Sequence, residues 1–219
     1  MQHERNNHPE SLARTGLVQS SGARFLKFGI VSDIHCNARA LEQALRLMGE
    51  VDELLCLGDV VTQTRWSDEV VGMLRRLGAK VVLGNHDVEY LKRLADTAVE
   101  RGQADGELVE WLRGRPERIE FETCGKTLLM VHATPWTWDY VFPGSRQMQR
   151  YAEVEADFVL GGHTHTPFAG RIGRAMVINP GSTGQGRFVP PSSSLLGCAV
   201  LDAATDEVRL LDFPEPPLS

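Results

Sequence analysis

Five short segments of this chain each close a hydrophobic run with residues that bind metals or phosphate. They are Asp33-Ile34-His35, Gly58-Asp59, Gly84-Asn85-His86-Asp87, Val131-His132 and Gly162-His163-Thr164-His165. Of the seven histidines, His3 and His8 lie in a polar N-terminal stretch, and the other five all fall in these segments. Histidines that merely pack a core do not gather at strand ends. In open α/β sheets the ligand site lies beyond the carboxyl ends of the strands. A fold that brings all five strand ends to one edge would therefore assemble a metal-dependent hydrolytic centre.

The alternation of runs supports such a fold. Phe25–Ser32 reads as a buried strand, followed by a helix over 38–48 with Leu41, Ala44, Leu45 and Met48 on one face and Asn37 as its cap. Leu54–Leu57 is the next strand, Ser67–Leu77 a second amphipathic helix stopped by Gly78, and Lys80–Leu83 a third strand. Helices are expected over 88–101 and 106–113, with Pro116 closing that region. The second half is richer in strand: Arg118–Glu122, Thr127–Val131, Phe158–Leu160, Ala175–Ile178, Cys198–Leu201 and Val208–Phe213, with a helix near 145–155. The first half predicts βαβ units and a parallel sheet, the end an antiparallel meander. Two sheets packed face to face with helices outside would bury these runs in a single domain over 25–219. Residues 1–24 are polar and aperiodic and read as a flexible leader, and Pro190–Ser194 as a surface loop.

Composition excludes some partners. With no apolar run of transmembrane length and a polar N-terminus, neither a membrane span nor a signal peptide is expected, and the expected address is the cytoplasm. The net charge of −6 argues against a nucleic-acid polymer or an acidic membrane surface as partner. Cys36, Cys56, Cys124 and Cys198 form no CxxC pair, so they read as free thiols rather than a structural zinc site.

Each motif has a specific chemical use. Asp33 and His35 are two apart in an extended segment and so point the same way. Asp59 has two carboxylate oxygens, enough to bridge two cations. Asn85 supplies a neutral oxygen, with His86 beside it. His163 and His165 alternate along an extended loop. Alone, Asp-x-His is common by chance and Gly-Asp is an ordinary turn. The five together are not.

In this order the segments resemble the D-x-H, G-D, G-N-H-[D/E], H and G-H-x-H pattern of the calcineurin-like metallophosphoesterases, from Phe25 to about Arg187. The small bacterial and archaeal phosphodiesterase branch is the nearest in pattern, and the turn Asn179-Pro180-Gly181-Ser182 is also similar to that branch. The resemblance implies a four-layered α/β sandwich of two mixed β-sheets flanked by helices. It also implies a first metal on Asp33, His35, Asp59 and His165, and a second on Asp59, Asn85, His132 and His163. His86 would face the substrate without ligating. Thr62-Gln63-Thr64 stands where the protein phosphatases of this superfamily carry D-R-G, which argues against that activity, and Cys36 stands where relatives commonly have glycine.

The implied ligand set of two carboxylates, one amide and four imidazoles suits manganese first, then iron, nickel, cobalt or zinc, over magnesium or calcium. Two such divalent ions against the two aspartates and one hydroxide would leave a net charge of about +1, favouring a phosphate anion. Hydrolysis of small nucleotide or aryl phosphodiesters is therefore expected, with His86 as general acid. A phosphomonoesterase and a non-catalytic metal-binding scaffold are the competing readings. Asn37, Arg65, Arg146 and Arg187 are further candidates for substrate contact. So are Trp136 and Trp138, in an aromatic segment (135–142) that either walls the substrate site or packs against the domain or a second copy in a homo-oligomer.

Overall fold

The computed structural model describes residues 26–189 and 193–215, so the leader at 1–24 and Phe25 lie outside the described residues. The chain order is β1 (Lys27–Val31), α1 (Ala38–Met48), β2 (Glu53–Cys56), α2 (Asp68–Arg76), β3 (Lys80–Val81), α3 (Asn85–Arg93), α4 (Ala95–Glu100) and α5 (Gly106–Arg113). It continues with β4 (Arg118–Thr123), β5 (Lys126–Val131), a 3₁₀ helix (Arg146–Glu153), β6 (Phe158–Leu160), β7 (Phe168–Ile172), β8 (Ala175–Asn179), β9 (Arg187–Val189), β10 (Ser193–Asp202) and β11 (Glu207–Pro214).

Strand periodicity sorts the apolar side chains into layers. In β1, Phe28 and Ile30 face the second sheet, where they meet Leu55, Leu128, Met130, Phe158 and Ile178. Val31 faces the other way, into the cluster formed by α1 to α5 with Leu54, Cys56, Val81 and Cys198. β5 repeats the rule: Leu128 and Met130 point between the sheets, and Leu129 points out to Met148 and Tyr151 of the 3₁₀ helix. The layers are thus helices, sheet, sheet, and a thinner cover of 3₁₀ helix and loop. Each fully buried Phe, Ile or Leu contributes roughly 1.5–3 kcal/mol.

One sheet runs β11-β10-β1-β2-β3 with β9 added against β10; the other runs β4-β5-β6-β8-β7. β1, β2 and β3 are mutually parallel, as are β5, β6 and β8. Strand direction therefore delivers the carboxyl ends of β1, β2, β3, β5 and β6 to the same edge, where the five motifs begin.

Five features differ from the expectation. The helix expected over 88–101 begins at Asn85 and breaks at Leu94, so Asn85-His86-Asp87 is itself the first helical turn. Asp87 accounts for the early start: its carboxylate accepts the Gly84 N–H at 2.9 Å, closing the helix entry. The helix near 145–155 is a 3₁₀ helix. β7 and β9 were not anticipated, both being edge strands with only partial burial. Of the loop expected at 190–194, Ser193 and Ser194 open β10 by pairing with Val189 and Phe188, and residues 190–192 lie outside the described residues. Among the described residues no helix is long and apolar enough to cross a membrane.

Candidate metal centre

The motif loops are fastened to one another before their side chains are considered. Asp33 N–H donates to Gly58 O, His35 N–H to Asp59 O and Cys36 N–H to Val60 O, each at 3.0 Å. Gly162 N–H donates to His132 O at 2.6 Å. The Asn179–Ser182 turn braces two motifs at once. Asn179 Nδ2 donates to Gly162 O at 2.8 Å, and Ser182 Oγ to Asp33 O at 2.8 Å.

Five of the seven predicted ligands have left-handed backbones: Asp33 (φ +53°), His35 (+48°), Asp59 (+51°), His163 (+64°) and His165 (+55°). Cys36 does too (+66°), the position where a glycine would sit without strain. Each such residue costs on the order of 1 kcal/mol. That strain is concentrated where five side chains must turn toward a common point.

There, one oxygen of each aspartate is committed to the scaffold. Asp33 Oδ2 accepts from Ser32 Oγ at 2.6 Å and His163 N–H at 3.0 Å. Asp59 Oδ1 accepts the His86 N–H at 2.9 Å. The free oxygens face imidazoles. Asp33 Oδ1 lies 3.2 Å from His165 Nε2 and 3.9 Å from His35 Nε2, buried and without a hydrogen bond. Asp59 Oδ2 lies 3.4 Å from His132 Nε2 and 3.9 Å from His86 Nε2. His132 Nε2 is also 3.2 Å from both Asn85 Oδ1 and His163 Nδ1. Asp59 Oδ2 is thus the oxygen turned toward the imidazoles, and Asp59 would be the residue shared between two metals.

The electrostatics fit cations. Asp33 is buried, which by itself would raise its pKa, yet the adjacent His165 imidazole, with His132, holds it down to about 2. Burial lowers His35 to about 4, leaving a neutral imidazole. Burial would lower His132 as well, but Asp59 and Asp33 outweigh it and raise it to about 9. Ligand atoms of Asp33, His35 and His165 lie within 4.8 Å of one another, as do those of Asp59, His132 and His163. Buried carboxylate oxygens facing imidazole nitrogens, Asp33 Oδ1 among them without a hydrogen-bond partner, are a donor set for divalent metal ions. His35, Asp59 and His86 form a third such group, so geometry alone leaves His86 within ligand reach.

The remaining candidates fall elsewhere. Asn37 caps α1 through the Ala40 N–H and donates to Gly184 O, so both ends of its amide are engaged. Arg187 pairs with Asp212 at 2.6 Å. Arg146 is exposed at the start of the 3₁₀ helix, and Arg65 is exposed in a turn whose carbonyl accepts from Cys36 Sγ. Trp136 packs on Tyr151, with Arg150 over its ring. Trp138 lies 5.8 Å from the His132 ring, in a neighbouring groove with Glu117 and Arg118. The cleft over the centre, about 290 Å³, is instead lined by Tyr140, Thr164 and Gln185 with His86 and four of the predicted ligands, His35, Asp59, His163 and His165. Tyr140 lay within the aromatic segment of the sequence; nothing in the sequence marked Thr164 or Gln185 as facing the cleft.

Comparison with known proteins bears on the family of the chain. A probable metallophosphoesterase of Methanocaldococcus jannaschii is 26% identical over 214 residues, covering 95% of this chain and 91% of that protein. A symmetrical bis(5'-nucleosyl)-tetraphosphatase of Sodalis glossinidius is 36% identical over 146 residues, 58% of this chain and 49% of that protein. The crystal structure of a metallophosphoesterase from Sphaerobacter thermophilus superposes with a TM-score of 0.70 at 26% identity, over 86% of this chain and 88% of that one. Residues 26–206 match the calcineurin-like phosphoesterase superfamily domain, and the chain belongs to that superfamily.

Proposed function

We propose that this protein is a dinuclear metal-dependent phosphoesterase that hydrolyses small phosphodiesters of nucleotide or aryl type. The observation that carries the diester reading is the lining of the cleft. Apart from ligands it consists of His86, Tyr140, Thr164 and Gln185, with no lysine or arginine among the described residues. A monoester dianion calls for more cationic contacts than a diester monoanion, and a centre of about +1 charge matches the latter. The name of the Sodalis glossinidius relative, a nucleotide hydrolase, supports a nucleotide-type substrate. The altered second motif at Thr62-Gln63-Thr64 disfavours phosphoprotein substrates.

Asp33, His35, Asp59 and His165 would hold one metal, and Asp59, Asn85, His132 and His163 the other, manganese being the first choice. When bound, such a pair supplies Lewis acidity and lowers the pKa of a water. The chain's own groups do the rest. The His86 N–H fixes Asp59 from the scaffold side, and the His86 side chain, 27% exposed, faces the cleft with Nε2 3.9 Å from Asp59 Oδ2. From there Nε2 delivers a proton to the departing alcohol oxygen, a role that typically contributes ~10²–10⁴ in rate.

Elemental analysis of the purified chain, paired with turnover of a mono- and a diester of nitrophenol in Mn²⁺, tests the reading. Two metals per chain and a higher kcat/KM on the diester are expected. A strong preference for the monoester, or for phosphoserine peptides, would overturn it.

A further inference from the structure

We propose that Tyr140 is the specificity-determining residue of this centre, its ring forming the wall against which a planar aromatic arm of the substrate lies. This rests on the phosphodiester reading and assigns the part of the chain that selects the non-leaving arm.

Four aromatic side chains follow ligand His132, and the structure gives them different tasks. Trp136 is spent on packing against Tyr151. Trp138 lies in the neighbouring groove. Of the four, only Tyr140 lines the metal cleft. Its ring lies over ligand His163 with centroids 4.0 Å apart and planes inclined by 26°. Yet Tyr140 remains 60% exposed. Phe142, 48% exposed, sits beside it at 6.2 Å with its plane only 14° away.

Tyr140 packs on His163 yet leaves most of its ring in water at the cleft, with Phe142 parallel beside it, more exposed aromatic area than that packing requires. The loop is also held in place on both sides. Thr134 N–H and Oγ1 both bond the Thr137 carbonyl, and Val141 is buried against the second sheet. Tyr140 is therefore presented by a fixed backbone, so stacking on it costs little further ordering. The non-ligand residues around it carry a hydroxyl (Thr164) and an amide (Gln185) but no formal charge besides His86. Such a lining suits an uncharged planar group, a nucleobase or an aryl ring.

Three diesters that share p-nitrophenolate as leaving group and differ in the other arm (methyl, phenyl or 5'-nucleoside) read this directly, because the chemistry of departure is constant. The wild type should favour both aromatic arms over methyl in kcat/KM. In Tyr140→Ala that ratio should fall by about 10-fold or more, mostly through KM, as expected for loss of one stacking partner. Tyr140→Phe should keep it, and metal content should stay at the wild-type value in both. An equal loss on all three esters, or loss of metal, would reduce Tyr140 to a support for His163. A collapse of the ratio in Trp138→Ala but not in Tyr140→Ala would move the subsite to the other groove. If the wild type turns over none of the diesters, the diester reading falls. Calorimetric binding of phenyl phosphate against methyl phosphate to the Mn²⁺-loaded chain then decides Tyr140, with the same preference and the same loss expected.

Discussion

His132 donates its Nδ1–H to the Leu57 carbonyl at 2.7 Å, which leaves Nε2 to face Asp59 Oδ2, 3.4 Å away. A carbonyl only accepts, so Nδ1 is the protonated nitrogen, and the atom turned to Asp59 is the one with a lone pair to give a metal.

In the metal-free chain that atom carries a proton, because Asp59 and Asp33 overcome burial and raise His132 to about 9. Its folded pKa exceeds the ordinary 6.5, so the stability from this pairing is complete below pH 6.5 and lost as pH rises through 9. The Tm of the metal-free chain should fall across that window. Metal loading at pH 7.5 should release about two protons per chain, one from His132 and one from the activated water, measured by calorimetry in two buffers of different ionisation heat. Release of one proton or fewer would mean that His132 is not a ligand.

Asp59→Asn keeps an acceptor for the His86 N–H but removes the negative charge facing His132. We expect loss of at least one metal by elemental analysis, and a fall in turnover beyond the ~10–100-fold typical of residues that only orient ligands. Two metals retained with unchanged turnover would sink the shared-ligand assignment.

His86→Gln separates a proton donor from a ligand. As a donor, His86 should be lost with both metals retained, and turnover should drop by ~10²–10⁴ on an alkyl leaving group but far less on nitrophenolate. Loss of one metal would instead mark it as a ligand, as its place beside His35 and Asp59 permits.

What the sequence made legible was local. The Asn37 cap and the apolar faces of α1 and α2 depend on neighbours in the chain, and they form as expected, whereas Asp33, His35, His163 and His165, expected on extended segments, are left-handed. What it hid depends on distant partners. Ser182 reaches Asp33 across 149 positions, and although its turn stands out in the sequence, nothing there names that partner. β7 escapes notice because an edge strand such as Phe-Ala-Gly-Arg-Ile needs no strict alternation when both faces are partly exposed. The left-handed backbones at Asp33, Asp59 and His163 are imposed by the surrounding loops, against the intrinsic preference of those residues. The choice among Trp136, Trp138 and Tyr140 follows from the course of one loop, which the sequence does not encode as a pattern.

Gly84 makes the link between backbone space and metal binding testable. Its backbone is extended (φ −94°, ψ 173°), a conformation open to any residue, so the glycine is required for room alone. A Cβ there would overlap Asp59 Oδ1 and the Asp59 N–H and approach Asp59 Cγ within 2.8 Å. The carboxylate cannot retreat without breaking its bond to the His86 N–H, and the backbone cannot yield without disturbing the bonds that Asp87 makes to Val61 and Gly84. Gly84→Ala should therefore lower metal content and turnover together, with a stability loss of roughly 1–3 kcal/mol in denaturant titration. Gly102→Ala is the control: its φ of +66° is strained for alanine, but no atom lies within 4 Å of the new Cβ. That variant should lose only about 1 kcal/mol and keep its metals and turnover. If Gly84→Ala behaved like Gly102→Ala, Asp59 would not be held where the metal centre requires it.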